Sequence, residues 1–447
     1  MTAHHPYVAG GADSAPDDAV VIAGMAVEAP GGIDTPEDFY AALAAGEDLI
    51  GPMPRDRGWP VDQLLSLDRV PGWGAVPDAG GFLDGAAEFD PQFFGLSPRE
   101  ATAMDPQQRV ALRVAWRAVE NAGVNPAALD GREIGVFFGA SGMEYGPTVA
   151  AVNDYSGHRI AGTALGSVSG RISHALGLTG PAITVDTACA SSLTAVHQAA
   201  AAIRSGECDW AIAGGVCVMG SPGAFFEFSR NNALAADGRC RSYASGASGT
   251  VWGEGAGAVI LESAGAARSA GHRIYGVVAG SRVNHNGSGA PIVVPSADAQ
   301  RRVIAGALAA AGVDAAQIDL IEGHGTGTLG DPMELDALSA VYGAARADDR
   351  PAAVGSVKSN AGHAQAAAGI LGLIKVLQCG RNGTIVGTRF ADEPTDKIDW
   401  DTAGLRLPAA TEPWPARDGH RFAAVSSFGV SGTNAHLIVD MPEAPNA

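Results

Sequence analysis

Short β-branched runs alternate with Ala- and Leu-rich helical segments along almost the whole chain, and this limits its fold more than any other feature. "AVVIAGMAV" (19–27) reads as a buried strand. "TPEDFYAALAAGE" follows as a helix, with Thr35 at the N-cap and Pro36 in its first turn. Residues 51–85 are rich in Gly, Pro and Asp and read as a long excursion. Then come a helix at "PQQRVALRVAWRAVENAG" (Val110, Val114 and Ala118 spaced by four), a strand at "EIGVFFGA", and one Gly-bearing helix at "HRIAGTALGSVSGRISHALG". "PAITVDTA", an Ala-rich helix, "WAIAGGVCVMG" and the Gly-broken strand "GTVWGEGAGAVILES" close the first half. The second half repeats the alternation. Its helix "ADAQRRVIAGALAAAG" puts Val303, Ile304, Ala307, Leu308 and Ala311 on one face, and helices are also read at "PMELDALSAVYG" and "GHAQAAAGILGLIKVLQCG". Two strands joined by a Gly/Ser/Thr turn end it. Such alternation calls for α/β layers with sheets buried between helices. "ITVDTACASS" before one Ala-rich helix echoes "VGSVKSNAGH" before another, which suggests two similar halves. The expected division is a leader at 1–18, halves at 19–268 and 269–441, and a tail at 442–447.

At 447 residues and 46% hydrophobic composition, a large core is within reach. No run of about 18 apolar residues suggests a membrane span. The start lacks a basic segment followed by an apolar one, so a cytoplasmic chain with reduced thiols is expected. Its five cysteines contain no C-x-x-C pair, against zinc or disulfides. A net charge of −19 argues against nucleic acid and anionic membranes as partners. Only three lysines occur, Lys358, Lys375 and Lys397, a bias that GC-rich coding explains; a lysine at a motif position therefore merits attention.

One cysteine is placed unlike the rest. Cys189 lies where the strand "AITV" ends and a helix begins, flanked by Asp186, Thr187, Ser191 and Ser192. Unpaired backbone N–H groups at a helix start favour thiolate, which makes Cys189 a candidate nucleophile. Cys208, Cys217 and Cys379 sit in or beside apolar runs and read as small buried hydrophobes. A nucleophile needs partners that hold or move a proton. His324 in "EGHGTGTLGDP" and His363 in "VKSNAGHAQAAAG" both stand at strand ends among small residues. Lys358 precedes His363 by five residues, and Glu334 could neutralise it. "SSFGVSGTNAH" offers backbone N–H groups beside Phe428; Phe428 and Met219 are expected to border a pocket. "GEGAGAV" and "GHGTGT" are not phosphate loops, since neither is G-x-G-x-x-G opening a helix.

In that order, "DTACASS", "EGHGTGT", "GSVKSNAGH" and "SSFGVSGTNAH", with "MDPQQR" and "DGRCRSY", resemble the β-ketoacyl synthase family, specifically ketosynthase domains of bacterial type I polyketide synthases. The resemblance spans nearly the whole chain. It implies a thiolase-like fold of two duplicated halves in α-β-α-β-α layers, and a homodimer. It implies that Cys189 takes an acyl chain as a thioester from the phosphopantetheine arm of an acyl carrier protein. His324 and His363 would then assist decarboxylation of a malonyl-type extender, supported by Lys358 with Glu334 as its ion partner. Backbone N–H groups of Cys189 and Phe428 would form the oxyanion hole. No bound cofactor and no metal are implied.

Three features depart from the family pattern. One residue is missing between Thr328 and Gly330-Asp331, which is expected to move His324 or reshape the pocket. Ser248 stands where an acid is usual. The chain also stops after its last strand, which suggests a free-standing enzyme or an excised domain. The function expected is decarboxylative Claisen condensation. The alternative is a trans-acting enzyme that cyclises the Cys-bound chain, by aldol, lactone or lactam closure, or transfers it without extension. A non-catalytic partner subunit would usually lack the cysteine.

Overall fold

A computed structural model describes residues 15–148, 150–346 and 350–442. The expected leader and tail therefore lie mostly outside the described residues. Each half runs through five main strands and three main helices in the same order, and in the second a two-residue strand, Leu405–Arg406, extends the sheet at Ala352–Gly355. The first half contains β1 (Val20–Glu28), α1 (Pro106–Asn121), β2 (Gly135–Gly139), α2 (Ser167–Leu176), β3 (Ala182–Val185), α3 (Ser191–Ser205), β4 (Trp210–Cys217) and β5 (Gly255–Ser263). The second contains β6 (Gly276–His285), α4 (Ala297–Ala311), β7 (Ile318–Glu322), α5 (Asp331–Leu338), β8 (Ala352–Gly355), α6 (Ala368–Asn382), β9 (His420–Phe428) and β10 (Thr433–Pro442).

The sheets obey one topology twice. Strand order is β3-β2-β4-β5-β1 in the first half and β8-β7-β9-β10-β6 in the second. The first pairings in each order are parallel (β3 with β2, β2 with β4; β8 with β7, β7 with β9), and the remaining two are antiparallel. The sheets meet where β1 pairs with β6 through Val21–Val277 and Ile22–Gly276. Helices α3 and α6 pack on each other and on strands of both sheets, α1 covers β1 and β5, and α4 covers β6 and β10. The layers are therefore α-β-α-β-α, the expected thiolase-like architecture.

The middle layer explains a sequence feature. Ala368–Gly380 is buried at every position. A helix apolar all round belongs between two sheets, where no face meets water. Lys375 and Gln378 are the exceptions in type, and the Lys375 ammonium is met by the Glu322 carboxylate at 2.7 Å. On α4, which faces water on one side, all five residues of the predicted apolar face are buried.

Some elements differ from expectation. The segment 158–177 forms two helices, Arg159–Thr163 and α2, because Ala164 turns to an extended conformation. Residues 331–343 begin as α5 and finish as a wider π turn over Ser339–Gly343. The helix expected from Gly362 starts only at Ala368, since Gly362 (φ 76°) and Gln365 (φ 47°) are left-handed. Lys358 lies on a helical turn, Lys358–Ala361, between β8 and α6. The proposed 268/269 division falls within helix Ala264–Ala270. No helix among the described residues is long and apolar enough to cross a membrane.

Candidate active site

Two equivalent connections, β3 to α3 and β8 to α6, deliver the cysteine and one histidine from the two halves. Cys189 sits on a sharp turn two residues before α3. Ala188 there adopts φ 52°, a strained conformation for a residue with a Cβ. Its backbone N–H donates to Asp186 Oδ1 at 3.0 Å, while Ser191 Oγ accepts from Thr187 N–H (2.9 Å) and donates to the Ala188 carbonyl (2.5 Å). The polar residues around the cysteine thus hold the turn. Ser427 Oγ donates to the Cys189 carbonyl at 2.7 Å and ties the β9–β10 turn to it. A Cβ at Gly429 would come within 2.3 Å of the Thr187 carbonyl, so glycine permits that approach.

Three of the predicted groups converge. His363 Nε2 lies 3.1 Å from Cys189 Sγ. The His324 and His363 rings are 5.4 Å apart and edge-on, and each offers a nitrogen within 4.8 Å of the sulfur. Gln365 N–H donates to His363 Nδ1 at 3.1 Å, and Phe428 N–H donates to His324 Nδ1 at 3.4 Å. A ring nitrogen that accepts carries no proton, so each neutral imidazole holds its proton on Nε2. Burial first, and then the Lys358 charge, hold both imidazoles well below the usual histidine range. Both rings are therefore neutral donors at physiological pH. Lys358 itself is buried.

The thiol differs from its expected ionised state. Burial pushes Cys189 up to about 11, against the opposing pull of Lys358 and of the backbone N–H groups of Val430 and Cys189. The helix end is present, but in a buried setting it does not outweigh desolvation.

Two expected partnerships are corrected. Glu334 does not pair with Lys358 among the described residues. Its carboxylate accepts from His324 N–H (2.6 Å), Gly325 N–H (2.9 Å) and Tyr243 O–H (2.9 Å), and burial raises it to about 7. It fixes the backbone under His324. Phe428 N–H, expected at the oxyanion hole, donates to His324 Nδ1 at 3.4 Å, while the backbone N–H groups of Val430 and Cys189 are the ones that favour the thiolate. Sequence reading missed Val430 because a backbone donor has no residue-type signature. It also left Tyr243 without a role, although "DGRCRSY" was noted.

With the shortened loop, a nitrogen of His324 still lies within 4.8 Å of the Cys189 sulfur. Asp331 accepts from Thr326, Gly327 and Tyr243 N–H at 2.9–3.1 Å, which closes the loop, and Leu329 turns out to solvent. Ser248 is exposed. Met219 lines a cavity of about 790 Å³ with Ile50, Phe82, Arg109 and Tyr145, and Cys189 does not border it.

Cys189, His324 and His363 have the donor types of a zinc site, but the fit is poor. A metal-bound histidine donates from its other nitrogen, whereas both Nδ1 atoms here accept.

Comparison with known proteins agrees with this geometry. Residues 17–267 match the family model "Beta-ketoacyl synthase, N-terminal domain", and 275–391 match "Beta-ketoacyl synthase, C-terminal domain". The chain belongs to the β-ketoacyl synthase family. It is 50% identical over 436 residues to polyketide synthase GfsA of Streptomyces halstedii, covering 97% of this chain and 6% of that protein. It is 48% identical over 442 residues to pikromycin polyketide synthase component PikAII of Streptomyces venezuelae, covering 98% and 12%. The chain thus spans a small part of these relatives. Among solved structures, the ketosynthase from module 6 of the bacillaene synthase of Bacillus subtilis 168 superposes with a TM-score of 0.87 at 36% identity, covering 95% of this chain and 72% of that one. The oxazolomycin ketosynthase domain OzmH KS7 of Streptomyces albus JA3453 gives 0.88 at 38% identity, covering 96% and 76%.

Proposed function

We propose that this chain is a ketosynthase that joins a Cys189-bound acyl group to a malonyl-type extender carried on an acyl carrier protein. The carrying observation is the pair of neutral imidazoles, with their protons on Nε2, gathered around one sulfur. In the first step Cys189 Sγ attacks the carbonyl of an acyl-pantetheine thioester. The old C–S bond breaks, and the pantetheine thiol leaves with the proton that Cys189 gives up. In the second step the extender's thioester oxygen takes hydrogen bonds from the two Nε2–H groups. Its carboxylate departs as carbon dioxide and leaves an enolate. The enolate carbon then attacks the acyl carbonyl on Sγ, whose oxyanion is met by the N–H groups of Cys189 and Val430. Collapse releases the β-ketoacyl product and a Cys189 thiolate, which regains a proton from water. One such oxyanion donor typically contributes about 3 kcal/mol to lowering the barrier.

Burial, with the Lys358 charge added to it, holds the imidazoles neutral, and Glu334 with Tyr243 holds His324. The reading calls for no bound cofactor beyond the pantetheine arm. A homodimer is part of it: β3 bonds only to β2 among the described residues, and Ile183 on it is 42% exposed. An open apolar edge favours pairing with a second copy.

Intact-protein mass spectrometry tests the reaction. An acyl thioester should add one acyl mass, absent in Cys189→Ala, and malonyl-loaded carrier should discharge it with equimolar carbon dioxide and a β-ketoacyl-carrier product. Discharge without extender would replace condensation by cyclisation or transfer.

A further inference from the structure

We propose that the mouth above Cys189 is an uncharged apolar collar, and that the carrier protein docks on it by hydrophobic contact instead of by charge. The proposal rests on the ketosynthase reading and names how that site receives its partner. Three loops build the mouth. The β9–β10 turn carries Val430, 48% exposed, directly after Gly429, which packs against the Thr187 carbonyl two residues before Cys189. The loop after β6 adjoins it: Asn286 N–H donates to the Gly432 carbonyl at 2.9 Å, and His285 Nε2 lies 2.9 Å from the Ser431 carbonyl. The loop after β7 adjoins that in turn, with Pro295 within van der Waals reach of a Cβ built on Gly330.

These loops hold an unusual share of the exposed apolar side chains: Ile292 (64% exposed), Val293 (60%), Val294 and Leu329 (92%), besides Val430. They also hold no Asp, Glu, Lys or Arg from 285 to 296, from 323 to 330, or from 426 to 435, in a chain that is 17% charged. An exposed apolar patch of this kind marks a contact surface. Its occupant follows from its place: a group delivered to Sγ passes over Val430, so the surface that delivers it rests on the collar. These loops themselves offer no charge for attraction, and the field of a −19 chain repels an acidic partner. Salt should therefore leave docking unchanged or strengthen it.

The test compares acyl-carrier protein with acyl-pantetheine as substrates of the full chain. Between about 50 and about 500 mM NaCl, KM for the carrier substrate should stay level or fall. Leu329→Asp with Ile292→Asp should raise KM for the carrier substrate roughly tenfold, and that for acyl-pantetheine less than about twofold. Phe93→Asp, an exposed aromatic outside these loops, should change neither. A steep rise in KM with salt, an unchanged carrier KM in the double variant, or an equal loss with both substrates would overturn the proposal. Dissociation of the chain into monomers in the double variant would give the collar to a second copy instead. Failure of both substrates to acylate wild-type Cys189 would sink the ketosynthase reading itself, a separate result.

Discussion

Iodoacetamide should label native Cys189 slowly at neutral pH, and faster in step with hydroxide well into alkali. Cys189 is the partly exposed cysteine; Cys208, Cys217, Cys240 and Cys379 are buried, so native labelling reports one site. Burial lifts its thiol from an ordinary 9.0 to about 11. Two units correspond to about 3 kcal/mol of extra cost for the thiolate, so at pH 8 roughly one molecule in a thousand carries it instead of about one in ten. Alkylation should then rise about tenfold per pH unit from about pH 7 to about pH 10, with no plateau in between. Lys358 is the largest influence pulling the thiol back down, so Lys358→Met should slow labelling further at any fixed pH. The assay is pseudo-first-order loss of unmodified protein by mass spectrometry across a pH series. A plateau below about pH 8 would mean that the helix end and Lys358 outweigh desolvation, and the argument from burial would fail. The prediction bears on mechanism. A thiol protonated at rest must give up its proton as it attacks, and the imidazole at 3.1 Å meets it with an N–H, so that proton goes to the leaving sulfur.

Two further outcomes follow from single residues. Asp105 caps α1 by accepting from Gln107 N–H at 2.9 Å, and burial raises its carboxyl to about 6 from 3.8. A raised carboxyl favours the neutral folded form, so its ionisation should cost stability as pH climbs from about 4 through about 6, by about 3 kcal/mol in total. Asn also caps helices, so Asp105→Asn should match the parent near pH 4 and exceed it above pH 6 in urea melts; an unchanged difference across pH would refute this. Gly429→Ala drives a methyl group into the Thr187 carbonyl and should lift Val430 N–H from the sulfur. Cys189 acylation should fall roughly 10²-fold while the fold survives by circular dichroism, and full acylation by this variant would remove Val430 from the oxyanion site.

The layered fold was legible because burial on both faces leaves a strong trace in residue types. "WAIAGGVC" is apolar throughout and "GILGLIKVLQC" is apolar but for Lys375 and Gln378, and they became a central strand and a middle-layer helix. Boundaries were less legible where a left-handed residue decides them. Gln365 carries no Gly or Asn signal for its φ of 47°, so the α6 helix was read several residues too long. The break at Ala164 has no sequence mark either, since alanine favours helix and tertiary contacts override it.

Side-chain chemistry at the site could be read from residue types, and backbone chemistry could not. Cys189, His324, His363 and Lys358 stood out by type and setting, and the structure gathers the first three within 4.8 Å. What each does depends on N–H groups that every residue owns. Gln365 N–H and Phe428 N–H fix the two tautomers, Val430 N–H favours the thiolate, and His324 and Gly325 N–H hold Glu334 away from the role of counter-ion. The same division explains the thiol. A helix start can be seen in a sequence, but the rings packed around the two histidines beside the sulfur, Trp252 on His363 and Phe428 on His324, come from scattered elements. A site dry enough for the proposed enolate also raises the cost of a resting thiolate, and protonated sulfur beside two neutral imidazoles is the arrangement that satisfies both demands.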